Sequence, residues 1–312
     1  MGNQEATIAA PAPRALVSRA TRETLANYAY LLPAAICLGG TVLFPILKAM
    51  HMSLYHNVLI RPQDYRFIGL GNYARMVQDP TFWLTLKNSF TWVFWSVSLQ
   101  FVCGFAAALL LNAPFKGRAF FRTINLLPWI IPGVVVALVW EYLYQPNYGP
   151  INDLLRRVGW MREPVAWLSD INLAMPAVVF TNIWRGIPFF TIMILAGLQA
   201  IPDEIYEAAT VDGASVTQRF WHVTLPMLRP IIVVATATRI IWTFNYADLI
   251  FVMTSGGPAN ATQITSTYTL LSAYTDLDFG YAATLSVILL VIMLVFTALY
   301  LKFTKGVESV AG

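Results

Sequence analysis

Long apolar stretches separated by short polar segments run along this 312-residue chain. Residues 90–111 and 281–301 contain no charged side chain, and each is long enough for the roughly 20 residues that a helix needs to cross the hydrocarbon core of a membrane. Four other stretches are also apolar but carry isolated charges. The pattern predicts six membrane-spanning helices, at residues 28–52, 90–111, 123–144, 173–198, 231–253 and 281–301.

The composition agrees with this pattern, since 57% of the residues are hydrophobic, 12% are charged and the mean hydropathy is +0.60. Such a chain is too apolar for a soluble domain and too long for a single membrane anchor. We expect an all-α integral membrane fold, with a six-span domain at 26–305 between tails at 1–25 and 306–312. The first 25 residues lack the apolar core of a cleavable signal peptide.

The positive charges predict the orientation, because lysine and arginine are enriched in cytoplasmic loops. An even number of spans places both termini on one side of the membrane. The totals differ little, with ten lysines and arginines on the proposed inside and eight outside. The short loops are clearer, since residues 116–122 are basic whereas the loop before the last span carries only Asp276 and Asp278. Both termini are therefore predicted to be cytoplasmic.

A polar loop at residues 200–230, between the fourth and fifth predicted spans, begins with helix signals. Pro202 suits the first helical position, and Asp203 and Glu204 place negative charge at the positive end of the helix dipole. Gly213 then suits a helix end, where a side chain would obstruct the turn. The loop is predicted to start with a short acidic helix.

A second short helix should follow the glycine. Ser215 and Gln218 have the spacing of a capping box, and Pro226 and Pro230 are expected to bend the chain back into the membrane. In the first helix, one face carries mostly small residues at i, i+3, i+4 and i+7, which lets another surface come close. That predicted docking face consists of Ile205, Ala208, Ala209 and Asp212.

The loop resembles the EAA loop of binding-protein-dependent ABC importer permeases. The sequence reads Glu207-Ala208-Ala209, three residues, Gly213, nine residues and then Val223-Thr224-Leu225-Pro226, and it departs from the family pattern only in having Val223 where that pattern has isoleucine. The resemblance implies the fold of a type I ABC importer permease. It also implies that the loop couples the chain to an ATPase through Glu207, Ala208, Ala209, Asp212, Gly213, Leu225 and Pro226.

The same resemblance implies partners in a bacterial plasma (inner) membrane. They are a second permease subunit that forms a heterodimer with this one, two ATPase subunits and an extracytoplasmic binding protein. No lysine is followed by serine or threonine, so the chain lacks a phosphate-binding loop. We therefore expect no enzyme activity and no cofactor in this chain, with ATP and magnesium held by the partner subunits.

Further segments resemble the sugar-importer branch of the family, the group of the maltose and glycerol-phosphate permeases. They occur in the same order along nearly the whole chain from the first span onward. The chain lacks the large external insertion that some maltose-type subunits carry, which puts in doubt any contact with a binding protein made through it. The matching segments are residues 67–73, 79–83, 87–89, 149–152, 256–258 and 280–282.

Three charged residues, Arg185, Arg239 and Asp248, fall inside predicted spans. An ionised side chain at the centre of a membrane helix costs at least roughly 2.5 to 3.5 kcal/mol, so each needs a cavity, a partner or an interface. The fifth span carries a polar and aromatic stripe at helical spacing, which suits a sugar because C–H faces stack on rings and hydroxyls need donors and acceptors. The stripe consists of Arg239, Trp242, Thr243 and Tyr246.

In the maltose-type relatives, the helices before and after the EAA loop form the sugar site. Counting the same offsets from Glu207 leads to Asn182, Trp184 and Phe189 before the loop, and to Trp242, Thr243 and Tyr246 after it. Thr243 and Tyr246 depart from the amides of those relatives, which suggests a different sugar. The alternative is helix packing with buried polar groups. Arg185, beside Asn182 and Trp184, and Arg239 could also pair with the second permease or meet an anionic cargo.

Other functions fit less well. An importer of a non-sugar solute would share the EAA loop but not the sugar-branch segments. An ion-coupled secondary transporter would show internal symmetry, and a membrane scaffold would leave the docking loop unexplained. No basic cluster with interleaved aromatic residues indicates nucleic acid, and neither histidine spacing nor paired cysteines indicate a metal site.

Overall fold

The computed structural model describes residues 19–308, with side chains described at residue 28 and at 30–304. The predicted tails, apart from the backbone of residues 19–25 and 306–308, lie outside the described residues. The described part is helical, with one short strand pair, β1 (Tyr55–His56) and β2 (Arg66–Phe67). Its helices are α1 (Arg19–Leu38), α2 (Phe44–Met52), α3 (Gly71–Gln78), α4 (Pro80–Asn112), α5 (Arg118–Ile130), α6 (Gly133–Leu143), α7 (Pro150–Arg157), α8 (Ala174–Ala200), α9 (Asp203–Val211), α10 (Val216–Arg219), α11 (Leu225–Phe244), α12 (Asp248–Thr254), α13 (Thr265–Tyr274) and α14 (Phe279–Glu308).

The chain divides into two compact units, Met1–His51 and Met52–Gly312. In the first unit, a π-helical turn at Gly39–Leu43 joins α1 to α2, and the Thr41 hydroxyl donates to the Cys37 carbonyl at 2.7 Å. The candidate span Tyr30–Met52 runs through this turn. The second unit contains the other spans and both candidate sites.

Five helices in the described residues are long and apolar enough to cross a membrane, and a bent pair adds a sixth. The predicted six spans are reached when this bent pair counts as one span. The third span, expected as one helix over 123–144, is instead broken into α5 and α6, which are bent by 94°. Pro132 explains the break, since it has no N–H for a continuing helix and disfavours helical geometry in the residue before it.

The fifth span also differs from the expected 231–253. It begins at Val216, inside the predicted 200–230 loop, and ends at Phe244. The bend expected at Pro226 does not break this span. A π-helical turn at Phe220–Thr224 continues the helix, and Pro226 lies in the first turn of α11, where a missing N–H is tolerated. Asp248 is exposed at the start of α12, so its predicted place inside the fifth span was wrong.

The core of the second unit lies between α4, α8 and α11, with α6 and α12 packed beside them. Trp92 of α4 is fully buried, and its indole nitrogen donates to the Thr243 carbonyl of α11 at 3.0 Å. Most of the other large buried side chains of this core are apolar, which suits helices that must associate without water. They include Phe190, Ile194, Leu228, Leu249 and Ile250.

Several of the segments that resemble the sugar-importer branch lie at the end of the bundle where α4 begins, and Tyr281 of one donates to Asp79 of another. The Asn88 side chain donates to the carbonyls of Asn260, Ala261 and Gln263 at 3.0 to 3.3 Å. The Asn72 side chain donates to the carbonyls of Ser53 and Tyr55, both at 2.9 Å. These hydrogen bonds join residues far apart in the sequence and stabilise this end of the bundle.

Asp79 is the centre of a hydrogen-bonded cluster at this end. Its carboxylate accepts from the Tyr268 and Tyr281 hydroxyls, each at 2.6 Å, and from the Thr81 N–H at 2.8 Å. Arg75 lies over the Tyr281 ring at 4.3 Å. Burial alone would raise the pKa of Asp79, but the donated hydrogen bonds outweigh burial and lower the pKa below its usual range. The same contacts raise the pKa of Tyr268, with burial as the largest cause.

The Asp79 cluster should stabilise the fold at neutral pH and less in acid. Asp79→Asn can keep Oδ1 for the Thr81 N–H but then places an NH2 group where Oδ2 accepted from both tyrosine hydroxyls. We therefore expect a loss of about 1.5 to 3 kcal/mol, as for hydrogen bonds to a charged group. Thermal unfolding in detergent measures this loss. Because the folded pKa is lowered, the difference between wild type and variant should be full above the usual aspartate range and disappear as the pH falls through that lowered pKa.

Asp170→Asn is the matched control. The exposed Asp170 carboxylate accepts from the Asn172 and Leu173 N–H groups, and an asparagine oxygen can keep those bonds. Equal destabilisation by the two substitutions, or a difference that persists in acid, would contradict the role given to Asp79.

Candidate functional site

A cavity of about 380 Å³ opens inside the second unit, between α5, α8 and α11. It is lined by both arginines of the predicted spans, the half-buried Arg185 and the buried Arg239, together with two tryptophan rings. Polar groups thus gather in the middle of an otherwise apolar bundle. The lining residues are Trp129, Arg185, Arg239, Ile241, Trp242, Thr243, Asn245 and Tyr246.

The interruptions of two spans form part of the wall. α11 ends at Phe244, so Tyr246 follows its last turn. The Tyr246 hydroxyl lies against Gly133, the first residue of α6, at the place where a β-carbon would be. The break between α5 and α6 therefore meets the end of α11 at the cavity.

The two arginines are held by neutral groups. Arg239 is 5% exposed, and its Nε donates to Oε1 of Gln100 in α4 at 2.6 Å. The Arg185 guanidinium lies over the Tyr246 ring at 4.9 Å, a cation–π distance. Arg239 also lies 5.8 Å from the Phe189 ring. In the described residues, neither arginine forms an ion pair with a carboxylate, so both positive charges remain uncompensated at the cavity.

Several buried polar atoms around the cavity have no hydrogen-bond partner within the described part of the chain. The described residues contain nine buried side-chain atoms without a partner. Five of the nine belong to four of the residues predicted for the sugar site. Because an unpartnered polar atom buried in an apolar setting is costly, such a concentration indicates a place where a polar ligand or water completes the bonds. The five atoms are Nδ2 and Oδ1 of Asn182, Nε of Arg185, Oγ1 of Thr243 and Oη of Tyr246.

The structure brings most of the sequence-predicted residues together. Arg185, Arg239, Trp242, Thr243 and Tyr246 all line the cavity. Their role toward a cargo stays a prediction.

The other three lie around the cavity wall. The Phe189 ring is 5.4 Å from that of Trp242 and 6.2 Å from that of Trp129. Asn182 is fully buried behind the wall, and Trp184 packs on Trp140 of α6 at 5.6 Å. Asn182, Trp184 and Phe189 likewise stay predictions as cargo contacts.

Sequence reasoning missed Trp129 and Gln100. Gln100 is the only amide side chain among residues 90–111, and that isolation within a charge-free span was the available signal. Trp129 had a weaker signal, since it stands just before the Pro132 break that was not predicted. Only the bend between α5 and α6 brings Trp129 to the cavity.

The acidic helix α9 is a second candidate site, and its C-terminal end explains Gly213. The Ala214 N–H donates to the Ala209 carbonyl at 2.9 Å and the Gly213 N–H to that of Thr210 at 3.0 Å, the bonding of a Schellman motif. Gly213 has φ of +79°, and no atom lies within 4 Å of the place where its β-carbon would be. Positive φ, rather than the expected crowding, therefore requires glycine here.

The exposed face of α9 is rotated by one residue from the predicted one. Ile205 and Ala209 are half-buried, because the neighbouring Tyr206 turns inward and its hydroxyl lies 3.0 Å from that of Thr224. Val211 is 87% exposed. The face left open consists of Glu204, Glu207, Ala208 and Val211, and Asp212 and Gly213 beyond it are also exposed.

Hydrogen bonds connect α9 to the start of the fifth span, which continues into the cavity-lining helix α11. Besides the contact of Tyr206 with Thr224, Arg219 donates to the Thr210 hydroxyl at 2.9 Å. Ser215 and Gln218 form the predicted capping box. Leu225 is half-buried and Pro226 exposed at the start of α11.

The loop that contains α9 and Asp79 lie at opposite ends of α4. The 33 residues of α4 span about 50 Å, and Phe105, near the end of α4, contacts Phe220 of the loop.

A polar cavity within an apolar helical bundle, with an exposed acidic helix tied to the cavity-lining helices, defines a transport permease. The family model described as binding-protein-dependent transport system inner membrane component matches residues 100–309. The chain therefore belongs to this family of inner-membrane transport components.

Relatives and solved structures cover nearly the whole chain. It is 38% identical over 282 residues, 90% of this chain and 94% of the relative, to the trehalose/maltose transport system permease protein MalF of Thermococcus litoralis. It is 36% identical over 88% of its length and 89% of the relative to the sulfoquinovosyl glycerol transport system permease protein SmoG of Agrobacterium fabrum. A crystal structure of a bacterial ABC transporter involved in import of the acidic polysaccharide alginate matches with a TM-score of 0.79 and 25% identity, over 91% of this chain and 96% of that one.

The cavity should admit water-soluble reagents. In a variant with Cys37→Ala and Cys103→Ala, we expect Trp242→Cys to react with a charged methanethiosulfonate in the assembled complex, since Trp242 is 49% exposed and lines the cavity. Ala235→Cys, two turns earlier on the same helix and fully buried, is the control. Mass spectrometry measures the labelling rates, and equal rates at both positions would contradict an accessible cavity.

Proposed function

We propose that this chain is the membrane-spanning subunit of an ATP-driven importer that passes a sugar through the cavity between α5, α8 and α11. The observation that carries this proposal is a set of three unpartnered buried polar atoms on residues that line the cavity with Trp129 and Trp242, namely Nε of Arg185, Oγ1 of Thr243 and Oη of Tyr246. Sugar hydroxyls can supply the missing hydrogen bonds while the C–H faces of the sugar pack on the rings. An apolar cargo would leave those atoms unpartnered.

The named relatives support a carbohydrate cargo. The name of the MalF relative includes trehalose and maltose, the name of the SmoG relative includes sulfoquinovosyl glycerol, and the matching crystal structure is of an alginate importer. Sulfoquinovosyl glycerol and alginate are acidic, whereas trehalose and maltose are neutral. Arg185 and Arg239 have no carboxylate partner in the described residues, so the test must include both kinds of sugar.

We infer that partner subunits complete the machine. A second permease would close the transport path as a heterodimer, two ATPase subunits would bind at α9, and an extracytoplasmic binding protein would deliver the sugar. ATP and magnesium would be held by the ATPases, with no cofactor in this chain. The α9 end, and with it both termini, would face the cytoplasm of a bacterial cell, with the Asp79 end on the outer side of the inner membrane.

The coupling step follows from the ties at α9. Closure of the ATPase dimer on ATP would push on the exposed face of Glu207 and its neighbours. α9 leaves the end of α8 after Pro202, and its contacts with Arg219 and Thr224 join it to the start of the fifth span. The push would therefore reach α8 and α11, the two helices that carry Arg185 and Arg239, and switch the cavity between its two openings.

Cargo-dependent ATP hydrolysis tests the assignment. The complete complex, reconstituted in liposomes with its binding protein, is to be assayed with maltose, trehalose, glycerol 3-phosphate, glucuronate and an alginate trisaccharide, with histidine and methionine as non-sugar solutes. We expect one sugar or a small group to raise ATP hydrolysis several-fold. Stimulation by an amino acid and by none of the sugars would overturn the sugar assignment.

Substitutions in α9 test the coupling. Glu207→Arg reverses a charge on the exposed face, and Gly213→Leu forces a branched side chain into positive φ at a cost of about 1 to 2 kcal/mol. Both proteins should reach the membrane but lose the ATPase on purification and lose transport. Asp203→Asn, at the other end of α9, is the control and should keep both. Normal ATPase recovery and uptake in both Glu207→Arg and Gly213→Leu would place the docking surface elsewhere.

A further inference from the structure

Gln100 joins the three core helices at the depth of the cavity. Its Oε1 accepts from Nε of Arg239 in α11 at 2.6 Å, and its Nε2 donates to the Asn182 carbonyl in α8 at 2.8 Å. The side chain is fully buried, and both ends of its amide are used. Gln100 thus acts as a bridge from α4 to both helices that supply cavity residues.

Gly186 makes room for this bridge. A β-carbon on Gly186 would overlap the Gln100 side-chain amide and a terminal nitrogen of Arg239. Any side chain here would therefore displace one or both partners. The requirement for glycine in the middle of α8, where it otherwise weakens a helix, has its physical reason in this contact.

The bridge determines where the Arg239 guanidinium points. A guanidinium is planar, so a hydrogen bond that fixes Nε also fixes the plane of its other N–H groups. Arg239 lines the cavity on one side and contacts Gln100 on the other. Without its amide partner, this arginine would be free to turn toward the Arg185 side of the cavity or toward Phe189.

We propose that Gln100 is a positioning residue for cargo selection: it does not contact the sugar but holds Arg239 at the cavity wall, so that the arginine favours sugars whose hydroxyls match its position. This inference rests on the proposed transport function. It assigns Gln100 a role beyond packing, because packing alone would need neither the amide oxygen nor the amide nitrogen.

Selectivity between two cargoes separates positioning from mere support. Uptake of trehalose and of maltose is to be measured with the reconstituted complex, and the ratio of the two kcat/KM values compared between variants. Gln100→Leu keeps the volume but removes both hydrogen bonds, and we expect the ratio to change at least tenfold, as for loss of one hydrogen bond to a charged group. Gln100→Glu keeps the acceptor for Arg239 and should restore most of the wild-type ratio.

The controls distinguish the possible failures. Ser98→Ala removes a hydroxyl from the same helix outside the bridge and should leave the ratio unchanged. Gly186→Ala should shift the ratio in the same direction as Gln100→Leu, because it displaces the same pair. If wild type transports neither sugar, the cargo panel above reports on the proposed function itself, and the structural measurement that follows still tests Gln100.

Cryo-electron microscopy of the wild-type and variant complexes gives a readout without cargo. We expect Arg239 to leave the cavity wall in Gln100→Leu and to keep its place in Gln100→Glu. If Gln100→Leu does not assemble, Gln100→Asn, one methylene shorter, replaces it in both measurements. An unmoved Arg239, or equal loss of trehalose and maltose uptake with an unchanged ratio, would overturn the proposal.

Discussion

A polar group inside an apolar helical bundle must have a partner, because little water is present there to replace one. Arg239 and Gln100 meet this constraint for each other at 2.6 Å, and their contact sets how α4, α8 and α11 pack. The space beside that contact is the cavity. Arg239 thus serves helix packing through Gln100 and also lines the cavity, so the packing role and the proposed cargo role do not exclude each other.

The two ends of the bundle differ in how they are held. At the end where α4 begins, the Asp79 cluster joins α4, α13 and α14 through charge-assisted hydrogen bonds. At the other end, α9 is tied to the fifth span by the contacts of Tyr206 and Arg219. Because these hydrogen bonds lead to the helices that line the cavity, the proposed displacement of α9 would reach the cavity before it reached the Asp79 cluster.

Hydrophobic pattern and local signals predicted what depends on local physics. The six apolar segments, the Ser215 capping box and the end of α9 at Gly213 all follow from interactions within a few residues. The break at Pro132 and the early start of the fifth span did not, because a proline stops, bends or begins a helix according to what surrounds it. The role of Gln100 was not predicted either, because its partners Arg239 and Asn182 are far away in the sequence and no spacing rule connects them.

Two of the differences from the predicted spans, the break in the third and the early end of the fifth, coincide in space. The break between α5 and α6 and the end of α11 at Phe244 meet where the Tyr246 hydroxyl lies against Gly133. Helix ends leave backbone groups without intrahelical partners, so interrupted helices at membrane depth are tolerated where they line a cavity or are covered by protein. Two interruptions that face one cavity therefore support the same conclusion as the unpartnered side-chain atoms. The bundle is regular where helices pack and irregular where a polar cargo would pass.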